Sequence, residues 1–203
     1  MIIIDSAHFI EEIHMADIIV VEGPMRSGKS EEIIAEANKY RIAGKKVLII
    51  KPKIDMRTRG VIASRKWEVG GPVLTNELMA HEIINEEHLR DLIRRYRPEI
   101  IVADECQFFD TWFYDVIFYA SKQLNIPVWL AGLGLDAWQK PFRIMPDLLA
   151  LADIVIKKTA VCSKCRCLGA RFTQKLYGSS EQIEVGDALY EPRCEKCHTM
   201  PPV

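Results

Sequence analysis

Gly23-Pro24-Met25-Arg26-Ser27-Gly28-Lys29-Ser30 is a run of residues suited to phosphate, with the spacing G-x4-G-K-[ST]. Its glycines let backbone N–H groups curl around phosphate oxygens. Lys29 adds a mobile point charge, and Ser30 offers a hydroxyl to Mg²⁺. All eight residues are therefore assigned to a nucleoside triphosphate, ATP in the first instance. A second chemistry-bearing pair, Asp104-Glu105, closes the apolar run Ile100-Ile101-Val102-Ala103. A carboxylate at a strand end beyond a phosphate loop is placed to accept from metal-bound water, so Asp104 joins Ser30 on the Mg²⁺ side. Side chains alternate along a strand, so Glu105 turns elsewhere and is free to serve an acceptor hydroxyl as general base. Phe108 and Phe109 follow. Phosphate chemistry has no need of two aromatic rings, but a planar base would stack on one; the other is expected in the core.

A third group is sulfur. Of six cysteines, Cys162-x2-Cys165 and Cys194-x2-Cys197 form two knuckles 28 residues apart. Four thiolates at this spacing match structural Zn²⁺. His198 is the alternative ligand beside the last thiol, and Cys106 and Cys167 are expected as free thiols. A closed site of this kind would tie the 166–193 segment at its base.

These groups need a scaffold. Ile18–Glu22, Lys46–Lys51, Ile100–Asp104 and Pro127–Leu130 are short and almost wholly apolar, as buried parallel strands are. Helical stretches at Ser30–Ala43, Ala80–Tyr96 and Trp112–Leu124 lie between them, with Gly44 at a helix end. The fold class is α/β, a mostly parallel sheet with its ligands beyond the strands' carboxyl ends. Residues 1–160 form this domain, and residues 161–203, where the alternation fades, form a second, small one. Arg57–Pro72 holds four basic residues and three glycines without helical period. It reads as a loop, either mobile near the site or plain surface.

The chain has 203 residues, 49% of them hydrophobic, and a net charge of −1. There is no overall basic field to draw nucleic acid and no run long enough to span a membrane. Residues 1–16 lack the apolar core of a signal peptide; a short strand at Ile2–Ile4 with a helical turn, or a disordered start, fits them. Without a secretion signal and with an ATP-type loop, a reducing, cytoplasmic setting is expected, and there metal is favoured over disulfide for the cysteines.

Together these residues resemble the type II thymidine kinase family of bacteria, animals and large DNA viruses. The likeness covers about residues 18–198. It rests on the phosphate loop, Lys51-Pro52-x-x-Asp55-x-Arg57, Asp104-Glu105-x-Gln107-Phe108-Phe109, Ala131-Gly132-Leu133, Pro141-Phe142, Ala170-x-x-Thr173-Gln174 and Tyr190-x3-Cys194. The resemblance implies a recombinase-like P-loop domain with a zinc-anchored lasso that closes over the nucleoside. It also implies transfer of the ATP γ-phosphoryl to the 5′-hydroxyl of thymidine with Mg²⁺, a homotetramer, and feedback inhibition by dTTP. On it, Glu105 is the catalytic base. Asp55 and Arg57 flank the nucleotide, and Met25, Gln107, Phe108, Leu133, Thr173, Gly186 and Tyr190 face the nucleoside, with Trp138 assigned there as a stand-in for the family's aromatic.

The chain departs from that family where the base is held. Ala137 stands at a usual aromatic position, Gly134 at a usual Asp, and Val185 at the first of two lasso glycines. Ser64-Arg65 replaces a Ser-His pair, and the first knuckle carries one extra residue. Either Trp138 supplies the stack from the next position, or the pocket is looser or admits another deoxynucleoside. Two readings compete from outside: an ATPase acting on nucleic acid, which lacks a second motor domain, and a non-catalytic nucleotide-binding relative.

Overall fold

A computed structural model describes residues 17–57, 59–68, 71–178, 181–184 and 186–201. The expected strand and turn at the N-terminus lie outside them. The centre is a six-stranded parallel sheet of β1 (Ile18–Glu22), β2 (Val47–Pro52), β5 (His81–Ile83), β6 (Ile100–Ala103), β7 (Val128–Gly132) and β8 (Ile154–Lys157). Their order is β5-β2-β6-β7-β1-β8. The near-continuous apolarity of β1 has a direct cause. Ile18 and Val20 join one buried cluster and Ile19 and Val21 another, so each sheet face has its own core.

One face is covered by α1 (Lys29–Ile42), whose Ile33, Ile34 and Ala37 are buried. The other is covered by α2 (Glu86–Tyr96), α3 (Trp112–Phe118) and α4 (Met145–Leu151). Glu31 and Glu32 begin α1, and Lys39 and Arg41 end it, the polarity that suits the helix dipole. The helix expected over Ala80–Tyr96 begins only at Glu86. Its first residues supply β5, and Asn85 restarts the chain as an N-cap, its side chain accepting from the His88 N–H at 2.9 Å. The helix expected through Leu124 changes at Tyr119 into a π-helical turn, Tyr119–Gln123.

Arg57–Pro72 is not the loop its composition indicated. Its larger part belongs to an antiparallel hairpin of β3 (Val61–Glu68) and β4 (Gly71–Met79). Ile62 and Leu78 on this hairpin are buried with α1. The apolar contact that decides the matter is set by the second strand, which lies mostly beyond the segment.

The C-terminal part holds one antiparallel pair, β9 (Phe172–Lys175) with β10 (Tyr190–Arg193). A small cluster of Ala160, Cys162, Ala170 and Cys194 lies beside it. Among the described residues no helix is long and apolar enough to cross a membrane.

Candidate active site

The phosphate loop runs from the end of β1 into α1. Gly28, at φ 80°, makes the left-handed turn into the helix. A side chain at Gly23 would meet the Lys158 carbonyl oxygen at 2.5 Å, so the loop is packed hard against the residue after β8. Lys29 is 8% exposed, and its Nζ donates to the Pro24 carbonyl at 2.8 Å, curled back over the loop. Burial pulls its ammonium below the usual range, against the raising charges of Glu105 and Asp104. The buried Ser27 hydroxyl has no hydrogen-bond partner among the described residues. A phosphate oxygen would satisfy both it and Lys29.

Ser30 donates its hydroxyl to Asp104 Oδ2 at 2.7 Å. A hydroxyl and a carboxylate at a phosphate cradle are the hard-oxygen donors Mg²⁺ takes. Asp104 is pushed up to about 6, first by burial and then by the charge of Glu105. The folded protein therefore holds this proton more tightly than an unfolded chain, where Asp titrates near 3.9. The stabilisation is present below that value and is lost as pH rises through about 6. We expect Asp104→Asn to melt above the parent at pH 7.5 without ligand, with the gap closing towards pH 4. Differential scanning fluorimetry across pH checks this.

β6 ends at Ala103, so Glu105 is not turned by strand alternation. It sits at φ 53° in the left-handed region, braced by its N–H donating to Asp104 Oδ1 at 2.8 Å. Such a backbone costs a non-glycine residue roughly 1–2 kcal/mol, a strain found at functional sites. The turn aims the carboxylate at Arg57 and Gln107. Arg57 meets Oε1 at 2.5 Å, and Gln107 Nε2 donates to Oε2 at 2.5 Å. Behind them stands a charged chain. Arg57 Nε donates to Asp55 at 2.6 Å, and Asp55 pairs at 2.9 Å with Lys51, which is 1% exposed. Burial works to raise the Asp55 pKa, but the hydrogen bonds and charges of Arg57 and Lys51 outweigh it and leave it lowered. The role of Lys51 was missed; a lysine inside an apolar strand was the available signal. Lys51→Met should cost about 3 kcal/mol, because one partner of a buried ion pair is removed; urea unfolding measures it.

Two cavities meet at Glu105. One is the phosphate cradle, reaching from Met25–Glu31 to Asp55 and the hairpin. The other is lined by Phe108, Leu133, Leu135, Phe142, Thr173, Gly186 and Tyr190. Met25, Arg57, Glu105 and Leu133 border both. Phe109 is buried and stacked on Phe113, whereas Phe108 lines the second cavity edge-on to Phe142. Gln107 is fully buried, its Oε1 accepting from the Leu133 N–H at 3.0 Å. Trp138 is not among the lining residues. Its ring lies 5.5 Å from the Lys175 ammonium, and Ala137 itself forms the wall. Asp136 and Gln182, which no motif marked, also line this cavity.

The sulfur site brings the expected cysteines together and adds Cys167, with the Cys197 thiol in contact with those of Cys162, Cys165 and Cys194. The sulfurs of Cys162, Cys165, Cys167 and Cys194 all lie within 4.8 Å of one another. Cys167 comes in because its carbonyl accepts from the Cys162 N–H at 2.8 Å, folding the knuckle tightly. Cys197 adjoins the same cluster, its N–H donating to the Cys194 carbonyl at 3.0 Å. Thiols at this separation fit tetrahedral Zn²⁺. His198 is turned away, its ring nitrogens engaged by Gln139 at 3.0 Å and the Ala137 carbonyl at 3.1 Å. Cys106 is buried, and burial raises its thiol pKa.

A phosphate loop, a carboxylate beside its hydroxyl and a second cavity sharing an acidic residue define a P-loop phosphotransferase. The thymidine kinase family model matches residues 16–198, and the chain belongs to that family. It is 40% identical over 185 residues to the thymidine kinase of Mycoplasma mobile, covering 89% of this chain and 86% of that one. With the thymidine kinase of Mycoplasma genitalium it shares 35% over 184 residues, 89% of this chain and 82% of that one. Among solved structures, the replication initiator DnaA bound to AMPPCP and single-stranded DNA superposes with a TM-score of 0.44 at 16% identity. That superposition covers 76% of this chain and 44% of that one.

Proposed function

We propose that the protein transfers the γ-phosphoryl of ATP to the 5′-hydroxyl of thymidine. One observation carries the reading: Glu105 stands where the phosphate cradle and the second cavity meet. In this arrangement Gly23, Pro24, Met25, Arg26, Ser27 and Gly28 wrap the phosphates. Lys29 exchanges the Pro24 carbonyl for the β- and γ-oxygens. Ser30 and Asp104 would hold Mg²⁺, which would supply charge neutralisation for the phosphates. Phe108 stacks on the base, and Met25, Leu133, Thr173 and Tyr190 surround it. The β–γ bridging bond breaks, the 5′-oxygen bonds to phosphorus, and Glu105 takes the hydroxyl proton late in the transfer. Arg57, paired with Glu105 at rest, turns to the moving phosphoryl.

Residues 1–160 act as the kinase domain and 161–203 as a zinc-anchored lasso. The family resemblance supports a homotetramer, inhibition by dTTP and a cytoplasmic setting. Light scattering tests the first of these, and turnover with added dTTP tests the second. The principal test is ATP- and Mg²⁺-dependent phosphorylation of thymidine, deoxyuridine, deoxycytidine and deoxyguanosine side by side. Preference for thymidine is expected. Turnover of another nucleoside instead would mean that Ala137 has reshaped the pocket, and turnover of none would overturn the assignment.

A further inference from the structure

We infer that Asp136 and Gln182 form a clasp that holds the lasso closed over the nucleoside cavity. The inference rests on that cavity being the nucleoside site. Asp136 is 3% exposed and follows the end of β7 by four residues. A carboxylate only accepts, and its two oxygens divide the work. Oδ1 accepts from the N–H groups of Trp138 and Lys140, both at 2.9 Å, and so closes the turn that carries Ala137. Oδ2 looks the other way and accepts from Gln182 Nε2 at 2.7 Å. Both residues border the cavity, so this bond joins its two walls.

Gln182 lies on the far half of the lasso, between β9 and β10. Other bonds of the lasso have different jobs. Lys175 with Glu184, at 2.7 Å, and the Tyr190 hydroxyl on the Glu184 carbonyl, at 2.9 Å, join the lasso to itself. Met25 N–H on Thr173, at 3.1 Å, and Arg26 on the Tyr190 carbonyl, at 2.9 Å, fasten its base strands to the phosphate loop. The Asp136–Gln182 bond reaches from the far half to the kinase domain. It touches no reacting atom, so it positions the lasso and acts on nucleoside binding.

The chemistry permits a polarity swap. Gln182→Glu sets carboxylate against carboxylate and opens the clasp. Asp136→Asn keeps one oxygen for the turn and offers an amide N–H in place of Oδ2. Alone it tolerates Gln182, whose amide can rotate to accept. Combined with Gln182→Glu it restores a donor–acceptor pair. We expect Q182E to raise the thymidine KM and Kd about 10- to 100-fold, the span of a charged hydrogen bond. The ATP KM and the kcat at saturating thymidine should stay within about two-fold. D136N should stay near the parent, and D136N/Q182E should recover to within about three-fold. Chymotryptic cleavage after Tyr177 in the unliganded protein reads the clasp without any nucleoside. It should quicken in Q182E and slow again in the double variant. Parent-like cleavage in Q182E, or no recovery in the double variant, overturns the clasp. A parent protein that fails to bind thymidine while cleavage follows the swap overturns the pocket assignment and leaves the clasp standing.

Discussion

Glu105→Gln is expected to lower kcat for thymidine phosphorylation about 10²–10⁴-fold, the range for a positioned general base, and to leave nucleoside affinity within a few-fold. Glutamine has nearly the same shape, and its remaining oxygen can still take the hydrogen bond from Gln107 or Arg57. The loss is therefore of proton acceptance, not of folding. Single-turnover kinetics with preloaded ATP separate the chemical step from product release. A variant that retains near-normal single-turnover rates would remove Glu105 from the proton's path. The left-handed turn at Glu105 makes a companion test available. Glu105→Asp keeps a carboxylate but draws it back by one methylene, so it should fall between the parent and Gln.

Serine at Cys162 or Cys194 is expected to abolish thymidine turnover while ADP binding at the phosphate loop persists. These two are the buried sulfurs of the cluster and lie in its small apolar core. Structural zinc contributes folding free energy directly, on the order of 10 kcal/mol in small metal-folded units. The segment is held by the clustered cysteines, the short pairing of β9 with β10 and a few hydrogen bonds such as those from Met25 and Arg26, so loss of the metal would remove its largest constraint. Elemental analysis should fall from one zinc per chain to none, and isothermal titration should still report ADP. Retained zinc with normal turnover in both variants would show that the sulfur cluster is not what anchors the lasso.

The parts of the molecule that were legible in the sequence share one property: they are local. The phosphate loop declares itself within eight residues, and β1, β6 and β7 are near-continuous apolar runs because both of their faces are buried. What escaped depends on partners distant in the chain. β5 is three residues long and counts as a strand only because Ile50, Lys51 and Pro52 pair with it. The β3–β4 hairpin is hidden by a basic, glycine-containing composition, and only Ile62 and Leu78 meeting α1 reveal it. The direction of Glu105 was right to separate from that of Asp104, but for the wrong reason: a left-handed residue, not strand alternation, does it. Cys167 enters the sulfur cluster through a backbone bond that spacing rules do not contain. Trp138 looked like a replacement for the missing aromatic, yet one position along a turn is enough to point its ring at Lys175.

The two hydrogen bonds by which Met25 and Arg26 hold the lasso strands have a thermodynamic reach beyond positioning. They come from residues that line the phosphate cradle, and Met25 borders the second cavity as well. On the proposed function, a nucleotide that ordered this segment would lower the entropic cost of seating the lasso on a nucleoside. Linkage makes the effect mutual: whatever factor ATP adds to thymidine affinity, thymidine must return to ATP. On that reading the donor and the acceptor would each sense the other's arrival before either has reacted.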